Sequence, residues 1–149
     1  MKVRMLLLIA AGGLLAAETP KDEASRKDLE KMQGDWQATK MVLDGFVIPD
    51  DDAQSLFRTV KGDQYTVFKF EKMRGKGTFR LDATKTPKTI DAQPDGPPGK
   101  APPLMLGIYE IDGNTLKMCF SAPGKERPKD LEAKEGSGNT LTVWTREKK

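Results

Sequence analysis

The sequence predicts an all-β domain of antiparallel strands, and three observations carry that expectation. From Gly34 onward, short runs of β-branched and aromatic residues alternate with turn residues, the texture of strands rather than helices. Two of the links, Gly62-Asp63 and Asp112-Gly113-Asn114, have hairpin composition and make their flanking strands antiparallel. At 149 residues, 37% hydrophobic and 32% charged, the chain has the size of one ordinary domain and not of two.

Eight strands are expected, at residues 36–43, 56–61, 65–70, 77–82, 88–92, 104–111, 115–121 and 140–146. The clearest alternations turn Phe79 and Leu81 inward in the fourth, Leu116, Met118 and Phe120 in the seventh, and Leu141 and Val143 in the last. Residues 104–111 are apolar on both faces and 65–70 nearly so. Such strands need cover on their second side, from the N-terminal helix or from a loop. Eight short antiparallel strands suit a closed up-and-down barrel or a two-sheet sandwich, and periodicity alone does not choose between them.

Ahead of the strands, Ser25 and Asp28 form a weak capping box, Leu29 and Met32 share one face, and Gly34 is a good stop. These predict a short helix over 25–32 that packs by one edge. Earlier still, Lys2 and Arg4 form a basic tip, residues 5–15 an apolar run, and Ala16-Ala17 a small-residue end. Those are the three parts of a secretory signal peptide. The apolar run is shorter than the ~20 residues of a spanning helix. Cleavage is expected after Ala17, with a cut after Ala16 also open, and no cysteine stands near the junction to carry a lipid. The organisation expected is a signal peptide over 1–17, an N-terminal segment with a short helix over 18–33, and a β domain over 34–149. The product is expected to be soluble, monomeric and extracytoplasmic, in the periplasm or released, with no membrane contact after cleavage.

Composition excludes several chemistries. Histidine is absent, so imidazole-activated nucleophiles and nearly all zinc sites are excluded. The formal charge is +3, and removal of Lys2 and Arg4 leaves 23 basic against 22 acidic residues spread along the chain. No basic patch speaks for a nucleic-acid partner. Cys119 is the only cysteine, which rules out an intramolecular disulfide; a packed, inert thiol is expected. Five of the ten prolines fall between Gln93 and Leu104, making a stiff irregular loop, and residues 121–139 form a second irregular stretch.

The clusters of charge have ordinary structural readings. Asp82, Lys85, Lys88 and Asp91 surround a turn where Asx bonds are common, Pro87 fixes the bend and the lysines form a solvated face. Asp91 stands mid-strand, and is expected to point into the barrel toward Arg127 or Tyr109. Asp50, Asp51 and Asp52 lack the spacing of a calcium loop, and are read as a solvated loop or as caps for a short helix over 53–56. No catalytic, cofactor-binding or metal-binding residues are predicted, and the chain is not expected to be an enzyme.

Gly34-Asp35-Trp36 at the head of the first strand, with Arg146 at the end of the last, resembles the Gly-x-Trp and C-terminal Arg signature of the lipocalin superfamily. More of the chain resembles one group within it. The runs Leu29-x-x-Met32-Gln33-Gly34-x-Trp36, Lys61-Gly62-Asp63-x-Tyr65-Thr66-Val67 and Phe79-x-Leu81-Asp82-x-Thr84-Lys85-x-Pro87-Lys88-x-Ile90-Asp91 carry it. Gly107-Ile108-Tyr109-Glu110, Leu116-Lys117-Met118-Cys119-Phe120 and Arg127-Pro128 complete it. These are similar to a lipocalin-like domain family of exported planctomycete bacterial proteins whose function is unassigned. The resemblance implies an eight-stranded antiparallel up-and-down barrel with a short N-terminal helix, with Gly34, Trp36 and Arg146 at its closed end.

Such barrels are wide enough either to fill with side chains or to hold one small ligand. The resemblance favours a small apolar or amphipathic ligand, with Asp91, Leu104, Leu106, Ile108, Tyr109 and Arg127 as pocket or rim residues. The alternative is a structural or protein-interaction domain with a filled interior, which the large inward residues favour. A void smaller than a few hundred Å³ would favour that second reading.

Overall fold

The computed structural model describes residue 20 and residues 22–148; the expected signal peptide lies outside the described residues. Nine strands form one antiparallel sheet: β1 (Gly34–Leu43), β2 (Phe46–Val47), β3 (Leu56–Lys61), β4 (Gln64–Lys69), β5 (Lys72–Asp82), β6 (Thr89–Pro94), β7 (Met105–Asp112), β8 (Thr115–Phe120) and β9 (Thr140–Arg146). Apart from β2, each strand pairs with the next, and β9 pairs back onto β1, from Trp36 opposite Arg146 to Leu43 opposite Thr140. The result is a closed eight-stranded up-and-down barrel, not a sandwich. Closure leaves the barrel no free edge along its main pairings. β2, which the sequence reading missed, is a two-residue return of β1 beyond Asp44-Gly45, both at positive φ.

The helix α1 (Glu23–Lys31) starts earlier than the sequence led us to expect. Asp22 is the cap, its carboxylate accepting from the Ser25 amide at 2.8 Å. Ser25 and Asp28 are therefore not a capping box. They lie on the buried stripe with Leu29 and Met32, at the i, i+3, i+4 and i+7 spacing of one helical face. The Ser25 hydroxyl instead accepts from the Ala83 amide at 2.7 Å, tying α1 to the end of β5. Gln33 exchanges two hydrogen bonds with Gly62 in the β3–β4 turn. Through these contacts α1 plugs one end of the barrel. A second helix, α2 (Asp50–Gln54), contains Asp50, Asp51 and Asp52 in its own first turn, so they are neither a solvated loop nor caps preceding the helix; three carboxylates there complement the helix dipole.

The core lies inside the barrel: Trp36, Val60, Tyr65, Phe79, Leu81, Ile90, Ala92, Tyr109, Leu116, Met118 and Trp144 form one buried cluster with Met32, the C-cap of α1. In β9 the inward residues are Thr142 and Trp144, not Leu141 and Val143. A shift of one residue exchanges the faces of a strand, and the indole of Trp144 carries far more apolar surface into the core than either aliphatic side chain. The strand apolar on both faces, β7, is covered on its outer side by the 121–139 segment. Ile108 and the facing Cys119 are buried outside the core cluster, Cys119 Sγ lies 3.5 Å from the Glu132 carbonyl, and Ala133 is buried beside them.

Candidate functional site

The closed end is built around Trp36. The Arg146 guanidinium lies 4.3 Å above the Trp36 ring, donates to the Gln33 carbonyl at 2.7 Å, to the Lys31 carbonyl and to Asn114 Oδ1 at 3.2 Å. The planar fork thus satisfies the last carbonyls of α1 while its face stacks on the indole. Trp36 Nε1 donates to the Met32 carbonyl at 3.0 Å. Gly34, at φ 113°, permits this approach, because a Cβ there would stand 3.3 Å from Arg146 Nη1.

Beside it lies an ionic cluster. Asp28 Oδ2 accepts from the Tyr109 hydroxyl at 2.7 Å and from Lys88 Nζ at 2.9 Å. Lys88, whose side chain remains 40% accessible, is thus tied to a buried carboxylate, whereas Lys85 is exposed. Burial, and secondarily the hydrogen bond to Asp28, raise the Tyr109 phenol well above its ordinary range, so it stays a donor throughout neutral pH.

The remaining residues expected at a pocket or rim are dispersed. Asp91 does not point into the barrel. It faces outward opposite Arg80, between the inward Ile90 and Ala92, and pairs with Arg127 at 2.7 Å; Tyr109 is engaged by Asp28 instead. Arg127 also donates to the Gly107 carbonyl at 2.9 Å, clamping the 121–139 segment against the outer face of β6 and β7. Leu106 and Ile108 alternate with the inward Tyr109 and lie on the outer side of β7, and Leu104 is exposed in the loop ahead of it. Asp82 accepts from the Thr84 hydroxyl and from the Thr84 amide at 3.0 Å; the hydroxyl bond first, and the amide bond after it, lower its carboxyl below the ordinary value. A depression of about 500 Å³ outside the barrel brings together Arg80, Asp82, Lys85, Asp91 and Arg127, but the Asp91 and Arg127 charges in it are spent on one another. Among the described residues no group of three or more His, Cys, Asp or Glu side chains is arranged to hold a metal ion.

Sequence reasoning missed the interior site. Away from α1, toward the end where β4 meets β5 and β6 runs into the proline loop, the barrel holds a cavity of about 190 Å³. Its wall is Arg58, Tyr65, Val67, Ala92, Met105, Met118, Phe120, Thr142 and Trp144. The proline loop contributes no residue to it. Arg58 projects inward from the middle of β3, flanked by inward Leu56 and Val60, and retains 5% of its accessible surface. Its guanidinium lies 4.6 Å from the Tyr65 ring centroid and 5.9 Å from that of Phe79. Desolvation lowers its pKa to about 10, so it is a cation at neutral pH. Two of its nitrogens, Nε and Nη2, are buried without a hydrogen-bond partner, and so is Trp144 Nε1 in the same wall. An arginine between two apolar neighbours on one strand face is the signal that could have revealed the site, since such a residue either ends a strand or enters a core with a purpose.

Comparison of the chain with protein-family models, with curated proteins and with solved structures finds no match. The site's meaning rests on its own geometry.

Proposed function

We propose that this is an exported, lipocalin-like binding protein, not an enzyme, whose barrel interior receives one compact apolar or amphipathic molecule. The observation that supports this reading is the cavity whose wall is apolar apart from Arg58, Thr142, the Tyr65 hydroxyl and the Trp144 indole N–H. Buried donors are paired in nearly every protein interior, and an interior packed only for stability has no use for three unpaired ones on two side chains of the same wall. A few convergent polar groups on an apolar wall are what a small-ligand site requires. The signal-peptide pattern of residues 1–17 supports action outside the cytoplasm.

The cavity limits the occupant. At about 190 Å³ it is smaller than the several hundred Å³ of ordinary ligand pockets, and that volume favours the second reading, a filled barrel acting through its surface. A void of roughly 150 Å³ nevertheless binds benzene. Toluene titrated into the purified domain, followed by thermal melting, is expected to raise Tm saturably with one site, and Ala92→Phe, which fills the void, is expected to abolish the response. A wild-type protein indifferent to toluene and to straight-chain alcohols of similar size would favour the filled-barrel interaction domain.

A further inference from the structure

An antiparallel sheet with one wet face turns polar side chains outward, and at one level of this barrel three consecutive strands do the reverse. Arg58 and Val60 of β3 and Tyr65 and Val67 of β4 point inward, so Phe57 and Phe68 point out, and they stand directly opposite one another. Met73 of β5 is opposite Phe68 and is 55% exposed. Cross-strand neighbours share a face, so these three side chains form an apolar stripe on the outside of the barrel. Phe70 extends it at the β4–β5 turn, 65% exposed and at φ 51°, a conformation that suits Asn or Gly and is costly for a bulky residue. The Ser55 carbonyl accepts from its amide at 3.2 Å, which fixes the turn against the start of β3.

Charge is divided between the two sides of the stripe. On the β3 side lies α2, held by Gln37, which donates to the Gln54 carbonyl at 2.8 Å; its Asp50, Asp51 and Asp52 are exposed. On the β5 side Lys72, Arg74 and Lys76 are exposed, and among the described residues no carboxylate pairs with them. Only Asp52 of the acidic group has a cation beside it, Lys69 at 3.9 Å.

We propose that this face is the contact between two copies of the chain, related by a two-fold axis that passes through the stripe near Phe68. A closed two-fold contact requires a surface complementary to itself. Rotation about that axis lays Met73 of one copy on Phe57 of the other and sets Lys72 and Arg74 of each against Asp50 and Asp51 of the other. Both halves of the contact are attractive, and the apolar stripe leaves water at its centre. An anionic membrane, the other surface that basic and apolar side chains suit, would press the α2 carboxylates against like charge. The pairing is independent of what the barrel interior holds, and it departs from the monomer expected from the sequence.

Sedimentation velocity of the purified protein, from micromolar to near-millimolar concentration, is expected to show a monomer passing to a dimer. The transition should move to higher concentration in roughly 1 M salt, where the Debye length is about 3 Å. The decisive comparison uses two charge reversals, Lys72→Glu with Arg74→Glu and Asp50→Lys with Asp51→Lys. Each alone is expected to weaken association at least about tenfold, since both halves of its own contact become repulsive. An equimolar mixture of the two is expected to restore a dimer containing one copy of each. Met73→Asp, at an exposed position, is expected to weaken association as well and takes the place of a reversal that fails to fold. A wild-type chain that stays monomeric throughout removes the proposal, and so does a dimer whose affinity survives these substitutions, because its contact lies elsewhere. Two reversals that remain monomeric when mixed overturn the pairing of the hairpin with α2. A monomer that co-sediments with phosphatidylglycerol vesicles at low salt assigns the stripe to a membrane instead.

Discussion

At the scale of single residues, the closed end and the cavity hold opposite kinds of arginine. Arg146 finds a carbonyl, a second carbonyl, an amide oxygen and an aromatic face, whereas Arg58 keeps one edge unpaired. Trp36→Ala is expected to lower unfolding free energy by about 3 to 5 kcal/mol in urea titrations, the range for deleting a buried aromatic. Arg146→Lys is expected to cost less yet remain measurable, because an ammonium cannot span the same acceptors while stacking. Arg58→Met is expected to raise the melting temperature of the ligand-free protein, since an apolar side chain of similar length removes a desolvated charge. Cys119 gives a pH signature. Burial raises its thiol from 9.0 to about 11, so the folded state resists ionisation that the unfolded chain undergoes. The stability this protonated thiol contributes is complete below pH 9 and lost as pH climbs toward 11; denaturation midpoints measured across that interval should fall less steeply in Cys119→Ala. The Trp36–Arg146 pair was legible through the resemblance of Gly34-x-Trp36 and Arg146 to the lipocalin signature. Arg58 was not, because alternation assigns a charged side chain to solvent unless its neighbours at i−2 and i+2 are weighed, and Leu56 and Val60 are modest signals.

At the scale of elements, the strands were readable and their second faces were not. Turn residues delimited seven of the eight barrel strands to within two residues at each end, since glycine at positive φ is needed at positions such as Gly62 and Gly113 whatever the tertiary fold; β5 begins at Lys72, five residues before the expected start, because the turn ahead of it is made by Phe70 and Glu71 at positive φ, residues without turn composition. What covers the outside of β7 depends on where a loop of 19 residues lies, which no local pattern encodes. The same limit concealed Asp28, which reads as a helix cap until Tyr109 and Lys88, distant in sequence, meet it. Asp28→Ala is expected to destabilise by about 1 to 3 kcal/mol, the cost of leaving a buried hydroxyl without its acceptor. Tyr109→Phe removes the unsatisfied donor along with the bond, so the double variant should lose less than the two single losses added together. Additive losses in chemical denaturation would show that the hydrogen bond contributes nothing.

At the scale of the whole molecule, the position of α1 constrains how the chain is processed. α1 begins at Glu23 and places Leu29 and Met32 in the core, while its C-terminal carbonyls are held by Arg146. The segment ahead of the first strand is thus part of the barrel's closed end, and a protease cutting within α1 would remove the plug. The expected cleavage after Ala17, or after Ala16, falls at least five residues before α1 and leaves Asp22, its cap, in place. Mass spectrometry of protein recovered from its native host is expected to show an N-terminus at Glu18 or Ala17; a processed fraction still carrying Met1 would end the case for export. A variant beginning at Gly34 is expected to melt cooperatively only at lower temperature, if it folds, because it exposes the inner face of Trp36 and leaves Arg146 without two of its acceptors. Equal melting temperatures for the chains beginning at residues 18 and 34 would show that α1 decorates the barrel and does not close it.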